Sequence, residues 1–423
     1  MACSTVPDHS TIAAFVSSMK DQIHSLFTDV LLICEEMKLL GGTSFALDGC
    51  KLPSNASRES SGTFEDLRKK KEKIEKKVGE KLSEQIAKDK EAAGNTESQE
   101  RDAESIKREK QIKKLEGKAE RIRKFLEENE PRQGKSGEIK SNVTDNDSGK
   151  MVTSHGAIQG YNAQALVDSE HQVIVCAEAS GAGQDNEHIP PLVDGVKKNL
   201  KAIGYPEDHL EGKVLTADAS YHSEVNLKKC EEEKLEAYIP DVNFRKRDPR
   251  FDTQQRHQPS KAKKFKHSDF QHSEEDDTYT CPNGKVLVLD TVKAKGSGGK
   301  RTYKRYEARE SDCTDCPFRA NCLQAKEGKF RRLLVLVAED ERSRLSQEMI
   351  KKIDSDEGKK TYVKRLAIVE PVFANVRHQK KLDRFTLRGK TKVNIQWLLY
   401  CMVHNMEKIA HYGTPLVANS TSA

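Results

Sequence analysis

The sequence predicts an α/β fold in which a mixed sheet with helices on its faces is interrupted by a helical hairpin and by a cysteine-rich segment. Three observations carry this expectation. Between residues 44 and 240, short apolar or alternating runs are separated by helical stretches, in the order strand, strand, strand, helix, strand, helix, strand. Residues 64–129 change into lysine- and glutamate-rich sequence with a narrow heptad-like seam. Residues 244–345 change again, into a basic, cysteine-containing stretch with little helical period.

Composition sets the limits. The 423 residues suffice for one large core or two to three modules. Only 35% are hydrophobic and 33% are charged, a lean core for this length, so part of the chain is expected to be solvated helix or loop. The net charge of +6 favours a polyanionic partner. No apolar run reaches the length of a membrane span, and the longest, near Ile395–Val403, is interrupted by Gln396 and reads as a buried helix face. MACSTVPDHS lacks a basic region followed by an apolar one, so a cytoplasmic protein is expected. There the ten cysteines stay reduced, and clustered ones point to metal before disulfides.

The elements follow in order. Residues 8–40 read as two helices: Ser10 caps the first, and Ile23, Leu26, Phe27, Val30, Leu31 and Cys34 stripe the second, which Gly41 and Gly42 end. SFALDGCKL, closed by Pro53, reads as a strand carrying Asp48. Leu67, Ile74, Val78, Leu82 and Ile86, then Ile112, Leu115, Ala119, Ile122 and Leu126, form two seams broken at AAGNTESQE, hence an antiparallel hairpin. Residues 131–150 read as a polar linker. GYNAQALVD and HQVIVCAEA read as strands joined by a turn at Asp168–Glu170; a helix follows at Pro191–Ala202, then strand KVLTAD, a helix from Glu224 to Lys234 and strand EAYIP. Residues 360–412 return to helix with Trp397, Leu398, Leu399, Met402 and Val403 as a core stripe.

Phosphoryl chemistry on divalent metals needs converging carboxylates, and strand ends with an adjacent helix are natural carriers. Asp48 in ALDGCKL, Asp218 ending KVLTAD and Glu370 in YVKRLAIVEPVFANVR fit that arrangement. Singly, each reads more readily as a turn or a solvated helix residue, and only their joint arrangement points to metal. Pro371, directly after Glu370, is expected to start or kink a helix there. Arg377 lies seven residues beyond Glu370, on the same helix face, where a guanidinium can hold a phosphate bidentately.

ALDGCKL, GYNAQALVD, VLTADASYHS and YVKRLAIVEPVFANVRHQKKLDRFTLRGKTKV together resemble successive blocks of insertion-sequence transposases with a DDE catalytic triad, in the branch with a helical insert and a cysteine-rich insert. The resemblance runs from PDHSTIAAF to HNMEKIA. It implies a ribonuclease-H-like core with Asp48, Asp218 and Glu370 as the triad, and Asp145 in VTDNDSGKM as an accessory acidic residue. Tyr362 and Arg365 match the opening of a Tyr, Arg, Glu, Lys signature of related transposases, with Arg377 at the position of the Lys and four residues, not three, between Arg365 and Glu370. Cys50 stands where the family commonly has Thr, and Ser220 where Gly is usual. The chain opens inside what resembles the end of the family's N-terminal helical domain, so a truncated chain is expected.

Two further patterns stand outside the triad. Cys281 in YTCPNGK, with Cys313, Cys316 and Cys322 in SDCTDCPFRANC, has the ligand types of a tetrahedral structural zinc site; the alternative is a set of reduced core thiols. Cys34, Cys176, Cys230 and Cys401 sit in apolar patterns and read as core. Arg377, Lys380, Lys381, Arg384, Arg388 and Lys390 form a positive strip suited to a DNA backbone or, alternatively, a solvated face.

The reading has seven parts: a remnant of the N-terminal helical domain (1–43), the first core strand (44–63), the helical hairpin insert (64–130), the central core (131–243), the basic cysteine-rich insert (244–345), C-terminal catalytic helices (346–413) and a disordered tail (414–423). The function expected from the resemblance is a bacterial, nucleoid-associated DNA transposase. It would use two Mg²⁺ or Mn²⁺ ions to cut transposon ends and join them to target DNA, as a homo-oligomer on DNA and away from membranes. Its rivals are an inactive truncated remnant that binds DNA without cutting, and a non-enzymatic zinc and coiled-coil interaction protein.

Overall fold

A computed structural model describes residues 7–92, 103–134, 137–251, 253, 264–295, 301–323, 328–339 and 344–413. The expected disordered tail, 414–423, lies outside the described residues. The chain forms two compact units, Met1–Ile239 with Lys360–Ala423, and Pro240–Lys359.

The first unit opens with α1 (His9–Ser18) and α2 (Ile23–Glu36). Asp8, not Ser10, caps α1 by accepting the Thr11 N–H at 2.7 Å. α2 buries Ile23, Phe27, Val30, Leu31 and Cys34, the expected stripe without Leu26, which is exposed. It ends at Met37, before the two glycines. Gly41 and Gly42 instead donate their N–H groups to the buried Asp168 carboxylate at 3.1 and 2.8 Å, and the positive φ of Gly42, 62°, turns the chain into β1 (Ser44–Pro53).

After β2 (Ser61–Gly62), α3 (Phe64–Ala92) and α4 (Ala103–Glu128) lie antiparallel. Phe64 meets Phe125 at 5.9 Å between ring centroids, Leu67 and Ile122 share their cluster, and Lys81 reaches Gln111 at 3.3 Å. The seam stays buried through Val78, Ala119 and Ile112 and opens beyond them, where Leu82 and Ile86 are exposed. AAGNTESQE lies almost entirely outside the described residues.

The stretch read as a linker is structured: β3 (Arg132–Gly134) pairs with β4 (Gly137–Ile139), β5 (Ser141–Asn142) with β2, and β6 (Gly149–Thr153) joins the main sheet. It carries little apolar signal because β6 buries one side chain, Met151. Its glycine serves close backbone approach: a Cβ on Gly149 would fall 1.9 Å from the Gly181 carbonyl oxygen.

β7 (Gly156–Asp168), β8 (Ile174–Ser180), α5 (Ile189–Ala202), β9 (Val214–Ala217), α6 (Glu224–Glu232) and β10 (Glu236–Tyr238) follow as the apolar pattern predicts. The sheet is mixed, in the order β10-β9-β1-β7-β6, with β8 also on β7. β10, β9 and β1 run parallel; β7 is antiparallel to β1, β6 and β8.

The second unit contains α7 (Phe244–Arg247), β11 (Gln271–Ser273), β12 (Thr278–Thr280), β13 (Val286–Lys295), β14 (Arg301–Ala308), α8 (Glu310–Thr314), α9 (Arg319–Cys322), β15 (Arg332–Glu339) and α10 (Arg344–Asp354). Its five strands form an antiparallel meander that the sequence reading missed. Leu287, Tyr306 and Leu333 point inward, but Val286, Val288, Val292 and Leu334 are exposed, so apolar residues on both faces hide the period-2 signal. The basic texture is partly compensated, with Arg247 bound to Asp241 and Asp354, Arg250 to Asp248 and Arg332 to Glu307. α10 packs with α7 inside this unit, so the chain returns to the first unit at Lys360 and not at residue 346.

α11 (Asp356–Ala374) passes through Pro371 and gives way to a π-helical turn at Asn375–Gln379; the proline does not start the helix. α12 (Lys390–Tyr412) covers the edge of β8. Asn394 bonds both the N–H and the C=O of Ala179, at 2.8 and 2.9 Å, and Asn405 does the same for Ile174. Eleven helical residues and five strand residues both span about 16.5 Å, so two amides on one helix face close an edge that would otherwise be open. Trp397, Leu398 and Met402 are buried as expected, whereas Val403 is exposed. Cys34, Cys176, Cys230 and Cys401 are all buried core thiols. Among the described residues no helix is long and apolar enough to cross a membrane.

His404, 1% exposed on α12, donates from Nε2 to the Gln172 carbonyl at 2.9 Å. Burial above all, helped by Lys408 and Lys380, pushes its pKa down to about 4. The unfolded chain, with an ordinary value near 6.5, binds the proton more readily, so His404 favours folding fully above about pH 6.5 and that contribution is lost as pH falls toward about 4. The first unit should lose on the order of 3 kcal/mol over this window. Urea unfolding followed by Trp397, the single tryptophan, should show it, and His404→Asn should flatten it; equal slopes in both proteins would refute the assignment.

Candidate active site

Backbone register builds the centre. The last pair of β1 and β9 is Leu47 with Ala217, and the next residues along the two parallel strands are Asp48 and Asp218. β9 stops there because Asp218 turns into a 3-10 helix at Ala219–Tyr221, its carboxylate accepting the Ser220 N–H at 2.8 Å. β1 continues, with Asp48 opposite Ala165 of β7. Two carboxylates thus come together where one strand ends and its neighbour goes on.

Asp48 is three-quarters buried and paired. Its Oδ1 accepts the Gly49 N–H and its Oδ2 accepts Arg365 Nη1, both at 2.8 Å, with side-chain exposures of 8% for Arg365 and 24% for Asp48. Burial pushes the Asp48 carboxyl above the ordinary range; Arg365 opposes this, and Asp218 adds to it. The Arg365 guanidinium lies 5.8 Å from the centre of the Tyr362 ring, and its buried Nε has no hydrogen-bond partner.

A third carboxylate, Asp185, was missed by the sequence reading. Its Oδ1 accepts Asn162 Nδ2 at 2.6 Å and Gln164 Nε2 at 2.9 Å, and its Oδ2 accepts the Ser220 hydroxyl at 2.8 Å. That same hydroxyl contacts Asp218 Oδ1. The buried Tyr221 hydroxyl donates to Gln164 Oε1. Burial raises the Tyr221 phenol well above its ordinary value, and Asp185, Asp48 and Asp218 all add to the effect. Asp185 sits in the glycine-rich GAGQDNEHIP, which has no period. The available signal was in NAQALV, where amides at alternate positions of a buried strand demand polar partners. Gly49 keeps the space for this network, since a Cβ there would fall 2.2 Å from Gln164 Nε2.

The other expected site residues are placed as follows. Glu370 is on an exposed face of α11, five residues and about 7.5 Å along the axis from Arg365; Arg365 is the α11 side chain that meets Asp48. Among the described residues no three acidic, histidine or cysteine side chains gather round one point. Asp145 is buried elsewhere, accepting the Tyr161 hydroxyl at 2.9 Å and the Gly389 N–H at 3.2 Å, and anchors the entry to α12. Arg377 is exposed in the π turn and opposes the rise of the Cys50 thiol, which burial pushes up to about 12. Lys381, Arg384 and Arg388 are exposed, the last two also bonding the Ser54 and Asn55 carbonyls past the end of β1. Lys390 pairs with Glu178 at 2.8 Å. Lys380 leaves the strip, its side chain 8% exposed and bound to Glu407 and Asn375. In the second unit Cys281 and Cys313 pack against the cluster that holds Cys322, and Asn283 Nδ2 donates to Cys316 Sγ at 3.6 Å.

Residues 280–410 match a family model described as a transposase DDE domain. The matched span includes Tyr362, Arg365, Glu370, Arg377 and the four cysteines; Asp48, Asp145 and Asp218 lie before it. No curated protein matches the chain.

Three substitutions test this geometry. Arg365→Met leaves Asp48 buried without its cation and should destabilise the first unit by about 3 kcal/mol, most of it recovered when Asp48→Asn is added. Trp397 fluorescence in denaturant reads both, and additive losses would mean the pair is not coupled. Gly49→Ala should displace Gln164 and loosen Asp185, costing about 1–3 kcal/mol through overpacking; unchanged stability would show that the amide moves freely.

Proposed function

For a chain that belongs to the DDE transposases, we propose metal-dependent cleavage of DNA at the ends of a mobile element, followed by transfer of the freed 3′-hydroxyl into target DNA. The observation that carries this reading is the register that sets Asp48 beside Asp218 at the end of β9. The order β8-β7-β1-β9-β10, with β7 antiparallel and β1 flanked by parallel β9, supports a ribonuclease-H-like core. The helical pair α3–α4 and the second unit are the proposed inserts in it.

The donor chemistry at the centre fits a hard divalent cation: carboxylate oxygens, two of them adjacent and a third carboxylate, Asp185, behind them. In the proposal Asp48, Asp218 and Glu370 hold Mg²⁺ or Mn²⁺. Such ions, when bound, activate the attacking oxygen and stabilise the leaving one. Arg365 fixes the rotamer of Asp48 and must share Oδ2 with any cation that binds there. Asp185 positions Asp218 through the Ser220 hydroxyl. Arg384 and Arg388, bound to carbonyls past the end of β1, and the exposed Arg377 and Lys381 would carry phosphates, which fixes register without reading sequence. Lys390 is partly neutralised by Glu178 and contributes less.

The rival of a DNA-binding protein that does not cut has one observation in its favour, the exposed position of Glu370 with Arg365 on Asp48. A strand-transfer assay in Mg²⁺ or Mn²⁺, with DNA ends from the flanks of the gene, separates the two. The proposal predicts joined product that falls at least about 100-fold in Asp48→Asn, Asp218→Asn and Glu370→Gln. Binding with no product from the wild type would support the rival, and full product from the variants would remove the triad.

A further inference from the structure

The four clustered cysteines take no part in the phosphoryl chemistry, and we propose that Cys281, Cys313, Cys316 and Cys322 hold a structural zinc ion that staples the second unit. They come from three separate places in the chain. Cys281 follows β12, Cys313 lies in α8 with Cys316 just after it, and Cys322 ends α9. All four are free thiols. Packing brings Cys281 and Cys313 onto the Cys322 cluster, and Asn283, two residues beyond Cys281, bonds Cys316.

The backbone around them is shaped for metal. Cys281 begins a tight turn in which its carbonyl accepts the Gly284 N–H at 2.8 Å, its own N–H donates to the Lys285 carbonyl at 2.8 Å, and Gly284 takes a φ of 71°. Cys316 begins a second turn, closed by the Arg319 N–H on its carbonyl at 3.0 Å. Each turn leaves its cysteine at the start of a knuckle.

Charge and packing supply the reason. Four thiolates on a zinc ion carry two net negative charges. Arg331 is 5% exposed, donates from Nη1 to the Cys322 carbonyl at 2.7 Å, and has a buried Nε with no hydrogen-bond partner. Arg319 donates to the Cys313 carbonyl at 2.5 Å. Two guanidiniums thus hold the backbone of ligand cysteines, and the unspent buried Nε of Arg331 is a donor that a nearby thiolate would satisfy. The meander needs a staple, because its core is little more than Phe270, Tyr279, Leu287, Tyr306 and Leu333, with valines of β13 left in solvent. The sulfurs do not already stand round one centre, so binding draws them in, each ligating thiol releasing its proton to solvent. With four protein ligands no position stays open, and the ion is structural.

Elemental analysis of the full chain, purified under reducing conditions, tests this. About one zinc per chain is expected, retained in Asp218→Asn and in Cys230→Ala, and absent from the Cys313→Ser, Cys316→Ser double variant. A second measurement covers a variant that does not fold: wild-type chain stripped by chelator and refilled with Co²⁺ should give thiolate-to-cobalt charge-transfer absorption and the intense bands of a tetrahedral site. Zinc undiminished in the double variant, zinc lost from Asp218→Asn, or wild-type chain that holds no zinc and gives no such cobalt spectrum would each overturn the proposal.

Discussion

The site depends on one backbone constraint, the parallel register of β1 with β9. Because Leu47 pairs with Ala217, the next step along each strand presents an aspartate. A slip of one residue would turn Asp48 to the opposite face of the sheet and break the pairing of the carboxylates. The register is secured on both sides of β1: β7 pairs with it continuously from Phe45 to Pro53, and Asp168 at the end of β7 holds the two glycines from which β1 starts. α12 then fixes β7 and β8 through Trp397, Asn394 and Asn405.

Gathering carboxylates in a half-buried notch is unfavourable unless each is answered. Asp48 is answered by Arg365 and a backbone N–H, Asp185 by two amides and a hydroxyl, and Asp218 by its own cap. Burial nonetheless dominates at Asp48 and holds its carboxyl high. Such a site favours positive charge over its anionic form standing alone, which is the physical basis for Arg365 beside it and for the proposed cation. The exposed arginines near the end of β1 extend the same preference to a polyanion.

Much of this was legible in the sequence. The strands of the main sheet announce themselves through continuous apolar runs, and KVLTAD ends at its aspartate as read. The paired helices follow from their seam, which is buried from Phe64 and Phe125 out to Val78 and Ile112. What stayed hidden had physical reasons. β6 buries a single methionine and carries its glycine for close approach, so it looked like linker. The meander of the second unit keeps apolar residues on its wet face, which erased its period. Asp185 belongs to a loop, and no local pattern around Arg365 shows that it meets Asp48 across 317 residues of sequence. Lys380 has the sequence context of a surface cation, yet it is buried against Glu407, a partner no local pattern reveals.

Manganese binding to the full chain tests the carboxylate pairing most directly. The loss of the free aquo-ion signal in electron paramagnetic resonance gives the affinity without any need for DNA ends. Wild-type protein should take up Mn²⁺, and both Asp48→Asn and Asp218→Asn should weaken uptake at least about tenfold, while Asp145→Asn, whose carboxylate is spent on Tyr161 and Gly389, should not. Uptake that is equal in wild type, Asp48→Asn and Asp218→Asn would show that these carboxylates do not form a metal site, and the account of the centre would fall with it.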